Sequence, residues 1–402
     1  ERKHNKLLFH NSKYAIHDII GDTNILRNAS YDLIKRFYKD WYRPDLMAVI
    51  AVGDFDVDQV EKLIKDKFSV IPKAKKPRKR EYVSIPSHKD VFVSVATDKE
   101  LSFPRVGIYF KGGKIEQSTF RNYRDGLLSQ IFSNMFNQRL KEYLRKENPP
   151  FKFFAVSGLN PLGRLNSVYV MFAGAIGNAI DRCIETLLTE AFRVLQHGFT
   201  PSEFERAKKE ILRQYESQFN ERDKSESIFY ALEYSRNFLQ GEGIPGIDYE
   251  YELVKKWLPE IQLDEVNALS KKFINKENVL IAVSAPERPD VIIPNEENVK
   301  QMFFELSEKA LAPYVDVTPT KPLFDRQVTN GKIIKERYLR GLDATELELN
   351  NGAKVVLKKT DFKNEEVVFH AYSFGGASLV AKEDYYNAVY CREFITESGV
   401  GK

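Results

Sequence analysis

The sequence predicts an α+β fold assembled from repeated units. Three observations carry that expectation: amphipathic helices alternate with short apolar strands, one helix–turn–strand unit occurs twice, and an Asn-Gly hairpin opens the carboxy-terminal part. The chain has 402 residues, enough for two or three domains with a sizeable core. At 43% hydrophobic and 12% aromatic its composition is globular. Its 61 basic and 57 acidic side chains nearly cancel, which gives no compositional support for a broad nucleic-acid or membrane role. No apolar run approaches the roughly 20 residues that a membrane helix needs. Two cysteines, Cys183 and Cys391, are too few for a disulfide framework or a zinc ribbon. They fit a reduced cytosol, and equally a periplasmic protein that avoids cysteine. The chain starts Glu-Arg-Lys without a signal peptide and stops just after a helical stretch, so a piece of a longer protein is expected.

Ser30 can cap a helix whose Leu33, Ile34, Phe37, Tyr38 and Trp41 keep helical spacing. Pro44 ends it, because proline disfavours helix at the preceding residue. The apolar run 47–52 reads as a strand covered on both faces. Asp56 and Gln59 then open a second helix with Val57, Val60, Ile64 and Phe68 on one face. The run PKAKKPRKR at 72–80 is basic and broken by proline. A nucleic-acid patch is one reading; a solvated linker is the better one, because no aromatic residue interleaves it.

From Val91 a new unit begins, with strands expected at 91–96 and 105–110, a helix at 120–146, and strands at 151–158 and 167–173. A long helix follows and ends at His197-Gly198, where glycine suits the left-handed position. Cys183 lies on its apolar face and reads as a packed core thiol. Thr200-Pro201-Ser202-Glu203 then supplies an N-cap, a proline at N1 and a glutamate at N3. The stretch DEVNALSKKFINKENVLIAVS (264–284) echoes DLIKRFYKDWYRPDLMAVIAVG (32–53), about 232 residues earlier. GIYFKGG (107–113) and HAYSFGG (370–376) are a second pair, each read as a strand ending in Gly-Gly. A proline-rich crossing spans 313–322, and ELELNNGAKVVLKK (346–359) is a hairpin whose Asn351-Gly352 fits a type I′ turn.

WYRPDLMAVIAVGDFD (41–56) resembles the insulinase–pitrilysin family of inverzincin metallopeptidases, in which a helix runs through Trp-Tyr-Arg-Pro-Asp-Asn-Met into a strand ending Val-Gly-Asp-Phe-Asp. Leu46 replaces the usual asparagine. Asn11-Ser12-Lys13-Tyr14-Ala15, RLKEYLRKENPPFKFFAVSG (139–158), GFTPSEFERAKKEIL (198–212) and LELNNGAKVVLKKT (347–360) resemble further family segments in the same order. The resemblance implies repeated metallopeptidase-type α+β domains, with mixed, largely antiparallel sheets flanked by helices. Residues 1–73 would be the second half of a catalytic-type domain, 74–89 a basic linker, and 90–290 a complete non-catalytic domain. Residues 291–341 would be a linker with a helix, and 342–402 the first half of a degenerate third domain.

Catalysis in that family needs His-x-x-Glu-His and a distal glutamate to hold zinc and activate its water. None of His4, His10, His17, His88, His197 and His370 begins such a motif. His10 and His17, seven apart in a polar stretch, read as loop residues. In the third unit the register places Tyr390, Glu393 and Phe394 where His-x-x-Glu-His would stand, and phenol and phenyl rings cannot replace two imidazoles. Neither catalytic nor metal-binding residues are therefore expected here, and zinc would belong to the parent protein. The resemblance assigns peptide binding to an edge strand at Phe154, Ala155, Val156, Ser157 and Gly158, acting by strand addition. An ordinary interior strand is the alternative.

The expected function is thus the non-catalytic portion of a multidomain zinc endopeptidase that encloses and cleaves short or unfolded peptides. A catalytically dead scaffold or partner subunit is the alternative. The expected partners are a peptide substrate and a complementary half-domain, met within one chain or in a homodimer. Neither nucleic acid nor a membrane span is expected. The compartment is read as periplasmic, with the cytoplasm as alternative.

Overall fold

The computed structural model describes residues 1–316, 329–364 and 366–398. The chain divides into two compact units, Glu1–Tyr215 with Glu226–Tyr314, and Glu216–Ser225 with Val315–Lys402. The first unit opens with α1 (Arg2–Leu8), α2 (Thr23–Asn28), α3 (Tyr31–Trp41) and α4 (Val57–Phe68). Ser30 and Asp56 cap α3 and α4 by accepting the Leu33 and Gln59 N–H groups. Strands β1 (Val91–Asp98) and β2 (Arg105–Gly113) lead to α5 (Phe120–Tyr143), then to the hairpin β3 (Phe151–Leu162) and β4 (Asn166–Ala175). Helices α6 (Ile180–His197), α7 (Pro201–Asn220, its last turn from Glu216 belonging to the second unit), α8 (Ser227–Gln240), α9 (Ile247–Trp257), α10 (Leu263–Ala268) and α11 (Ser270–Phe273) follow. Strand β5 (Val279–Pro286) and α12 (Glu296–Glu308) complete the unit.

The five strands form one mixed sheet in the order β1-β5-β2-β4-β3. Only β1 and β5 pair in parallel; the other three pairings are antiparallel. Strand periodicity divides the sheet into two packed faces. Val106, Ile108, Phe110, Tyr169, Met171, Ile281 and Val283 face the helical layer in the main core. On the other face, Tyr109, Val168 and Val170 pack against Leu8, Phe9 and Tyr14 from the amino-terminal segment. Cys183 is fully buried, and burial pushes its thiol up to about 12, so it is a core side chain.

A buried ion pair ties the helices together. Arg139 Nε and Nη2 donate to Glu203 Oε1 and Oε2 at 2.6 and 2.8 Å, and Nη2 also reaches Gly198 O. Glu203 is the N3 residue of α7, and its Oε2 also accepts from Thr200 N at 2.8 Å. The Arg139 guanidinium is stacked between the rings of Phe199 and Tyr314.

Helix α1 docks on the sheet through polar contacts at both ends. His4 Nδ1 meets Ser94 Oγ of β1 at 2.7 Å, and its Nε2 meets Ser284 Oγ of β5 at 2.8 Å. Lys3 pairs with Glu296 at 2.7 Å, while buried Lys111 donates to Leu8 O at the end of α1. Burial is the main cause holding His4 below its ordinary 6.5, helped by Lys3 and opposed by Glu1 and Glu296.

The basic run at 72–80 is partly anchored to α3. Buried Arg43, of the Tyr-Arg-Pro-Asp turn, donates to Arg78 O at 2.8 Å, and Arg78 lies over the Trp41 ring. The second unit contains a three-stranded antiparallel sheet, β6 (Ile333–Leu339), β7 (Ala344–Leu349) and β8 (Lys354–Leu357), followed by α13 (Tyr385–Ser398).

Three local expectations are corrected. Residues 47–52 form no strand, because no neighbouring ladder takes up their backbone groups; they run between α3 and α4 as irregular chain. Residues 370–376 are likewise irregular and lead into a 3₁₀ turn at Gly376–Leu379. The β7–β8 turn is not type I′. Only Gly352 has positive φ, at 83°; Leu349 N bonds to Ala353 O, and Gly352 N bonds to Leu349 O. That is a three-residue loop with glycine at its left-handed position. The proline-rich crossing at 313–322 lies largely outside the described residues.

Glu203→Ala removes the bidentate partner of buried Arg139 and leaves it only Glu190, whose Oε2 lies 3.9 Å from Nη1, so stability is expected to fall by up to about 3–5 kcal/mol in urea unfolding. The double variant Arg139→Met, Glu203→Leu is expected to recover part of that loss, since Glu190 keeps Tyr143 and Arg193 while Thr200 N loses its acceptor. A second expectation concerns α1. The folded pKa of His4 lies below 6.5, so its contribution is complete above 6.5 and is lost as pH falls below that value. Glu296 is held below 4.5 by its hydrogen bond to Lys3, so its contribution persists until pH falls below that lower range. Amide exchange across α1, relative to intrinsic rates, should therefore speed up as pH falls below 6.5. His4→Gln should abolish that step.

Candidate functional site

The expected peptide-binding residues fall on β3, the strand at one edge of the five-stranded sheet. Phe154, Ala155, Val156 and Ser157 lie opposite Ala173, Phe172, Met171 and Val170 of β4, with a register shift between Ser157 and Asn160. The interior-strand alternative does not describe this position. Ala155 is exposed, Phe154, Ser157 and Gly158 are half-buried, and Val156 packs into the core. A Cβ at Gly158 would meet Ser133 Oγ at 3.6 Å, ordinary contact, so packing alone does not demand glycine there.

The open side of β3 is not bare. Val156 N donates to Asn137 Oδ1 at 2.9 Å, and Asn137 Nδ2 donates to Val156 O at 2.8 Å. Both polar groups of Val156 are therefore turned away from β4 and held by one carboxamide of α5. At the next outward position, Asn160 Nδ2 donates to Gly158 O at 2.8 Å and to Ser157 Oγ at 2.7 Å. Beside the edge, Phe153 meets Phe103 and Phe172 with ring centroids 5.5 and 6.0 Å apart. This strip can take an apolar side chain from an extended ligand. Near the carboxyl end of β3 a cavity of about 350 Å³ is lined by Tyr82, Lys114, Pro161, Arg164 and Leu239. Lys114 is paired with Glu116 at 2.6 Å, and Arg164 donates to Leu239 O, so both cations already have partners.

Sequence reasoning missed Asn137 and Asn160. The signal at Asn137 was an asparagine inside a helix, where that residue is disfavoured unless its side chain has a specific partner. Nothing in the residue order marks Asn160, because its role arises from the bulge.

The residues present do not fit the zinc site that the resemblance implies for the parent. Among the described residues, no group of three or more His, Cys, Asp and Glu side chains could hold a metal ion. His10 and His88 approach with ring centroids 6.3 Å apart, but both pack on Phe92. His4 is engaged by serines, and His197 by Leu311 O. Tyr390 and Glu393 lie exposed on α13. Phe394 falls on the same helix, with its side chain outside the described residues. No helix among the described residues is long and apolar enough to cross a membrane.

Comparison with known proteins places these observations in a family. Residues 28–211 match the peptidase M16 inactive domain. The chain is 30% identical over 383 residues to a zinc protease PQQL-like protein of Arabidopsis thaliana, covering 95% of this chain and 37% of that relative. It is 25% identical to the probable zinc protease PqqL of Haemophilus influenzae, covering 97% and 42%. The crystal structure of the periplasmic protease PqqL from Escherichia coli superposes with a TM-score of 0.69 at 19% identity, covering 91% and 40%. The chain thus spans 37–42% of the length of the curated relatives it matches. With the order of its motifs, these matches support a fragment of an insulinase–pitrilysin, or M16, family zinc protease, and the solved structure shares its fold.

Proposed function

We propose that this chain is the non-catalytic portion of a multidomain zinc-dependent endopeptidase that encloses short or unfolded peptides, and that β3 is its peptide-docking edge. The observation that carries the reading is the position of Phe154, Ala155, Val156, Ser157 and Gly158 on the outermost strand of the sheet. An extended peptide placed there gains main-chain hydrogen bonds along one side and the Phe103, Phe153 and Phe172 strip for alternate side chains. Zinc and its general base would come from other residues of the longer protein. The periplasm is the proposed compartment, by analogy with the Escherichia coli relative.

We also infer a complementary half-domain as partner. Leu33, Ile34, Phe37 and Tyr38 of α3 form an exposed apolar row at helical spacing, a surface that soluble proteins cover. The cover would come from the same longer chain or from a second copy. Sedimentation of the 402-residue chain separates these, with a dimer expected for exchange between copies and a monomer for cover from the longer chain.

The purified chain is expected to bind no stoichiometric zinc and to cleave no fluorogenic peptide; one tightly held zinc per chain by metal analysis would overturn the reading. Val156→Pro tests the edge. Because the Val156 N–H points away from β4, proline there removes an outward donor and spares the β3–β4 ladder. Peptide affinity is expected to drop about three- to ten-fold in the longer protein, with zinc content unchanged. Unchanged affinity in a folded variant would eliminate β3 as the docking strand.

A further inference from the structure

Resting on the reading of β3 as a docking edge, we propose that Asn137 is a displaceable strand mimic that fixes the register of the bound peptide and rejects proline opposite Val156. Its Oδ1 and Nδ2 make the two bonds to Val156, at 2.9 and 2.8 Å, that one residue of a neighbouring strand would make in a hydrogen-bonded antiparallel pair. Nδ2 also donates to Ser133 O, one turn back on α5, at 2.8 Å. The resting edge is therefore satisfied at Val156, and a peptide pairs there only by replacing both bonds at once.

That exchange has a chemical consequence. A peptide residue with both N–H and C=O trades two bonds for two, so affinity must come from neighbouring main-chain groups and from the aromatic strip. A residue without N–H can accept from Val156 N but leaves Val156 O unpaired once Asn137 has moved. An unpaired carbonyl beside the packed core is costly, so such a residue is excluded at this one position. The β4 ladder is untouched throughout, because the Val156 groups concerned take no part in it. Asn160, which covers only the Gly158 carbonyl, imposes half of this requirement at the next outward position.

The test uses the 402-residue chain and a fluorescent decapeptide of alternating threonine and alanine, together with copies N-methylated at one residue at a time. Binding is read by fluorescence anisotropy, and position by photocrosslinking from benzoylphenylalanine at Ala155. Asn137→Ala is expected to bind the unmodified peptide about three- to ten-fold more tightly, because no competing carboxamide has to leave. One N-methyl position should erase that gain while its neighbours do not, a pattern that a merely structural role for Asn137 would not produce. Asn137→Asp keeps an acceptor for Val156 N but sets a carboxylate oxygen against Val156 O; a smaller gain in the same direction is expected, and it serves if the alanine variant is unstable. Crosslinking at Ala155 without tighter binding in either folded variant overturns the role of Asn137 and leaves the docking edge standing. No crosslinking in wild type or variants overturns the docking edge itself.

Discussion

The buried pair of Arg139 and Glu203 is the constraint from which the geometry of the first unit follows. A guanidinium held bidentately accepts few orientations, so the pair fixes the rotation of α5 as well as its position. Residues two apart on a helix point roughly 200° apart. With Arg139 turned to the α6–α7 corner, Asn137 must face the opposite way, toward β3. The ion pair and the carboxamide clamp are thus two sides of one placement of α5. Replacing such a pair by apolar groups often costs little, whereas removing one partner strands a charge, so its main contribution here is orientation rather than net stability. The same glutamate caps α7 at Thr200, which explains why two segments about 60 residues apart in sequence, Arg139-Leu140 and Gly198 to Glu203, act as one structural element.

Both edges of the five-stranded sheet are protected in the same chemical manner. At the β3 edge one neutral carboxamide supplies donor and acceptor to Val156. At the β1 edge the two functions are divided: Glu296 accepts from Val95 N at 2.9 Å and Lys3 donates to Val95 O at 2.6 Å, while the two side chains pair with each other. Unpaired edges invite association with other chains, and side-chain caps remove that hazard without an additional strand. The two caps differ in how they can be released. The β1 cap depends on α1 remaining docked and on Glu296 remaining ionised. The β3 cap has no titrating group and yields only to a competitor with the same hydrogen-bonding pattern.

Much of the first unit was legible in the sequence because its signals are local. Strand periodicity at 91–96 and 105–110, the Gly198 stop and the Thr200-Pro201-Ser202-Glu203 start all sit where the structure has the corresponding elements. The edge position of β3 came from the family resemblance, since strand order in a sheet is not written in any short stretch of chain. What stayed illegible depends on partners remote in sequence. Asn137 and Val156 are 19 residues apart, and their contact requires α5 to lie along β3. At Asn351-Gly352 the dipeptide signalled a hairpin correctly, but the choice between a two- and a three-residue loop was set by the β7–β8 register.

The internal repeat isolates this dependence on partners. Ile-Ala-Val occurs at 50–52 and again at 281–283, each time after a helix and a short polar turn. At 281–283 the tripeptide lies between β1 and β2, with ladder bonds on both sides, and Ile281 and Val283 are fully buried. At 50–52 the same three residues form no strand, and Ala51 is exposed. Intrinsic propensity is identical in the two places, so the difference arises from tertiary context alone. A strand pairs its backbone groups only through neighbours, and an apolar run without such neighbours has no ladder to join. The repeat therefore encodes a competence to form the central strand of a sheet, which the surrounding chain realises at 279–286 and leaves unexpressed at 47–52.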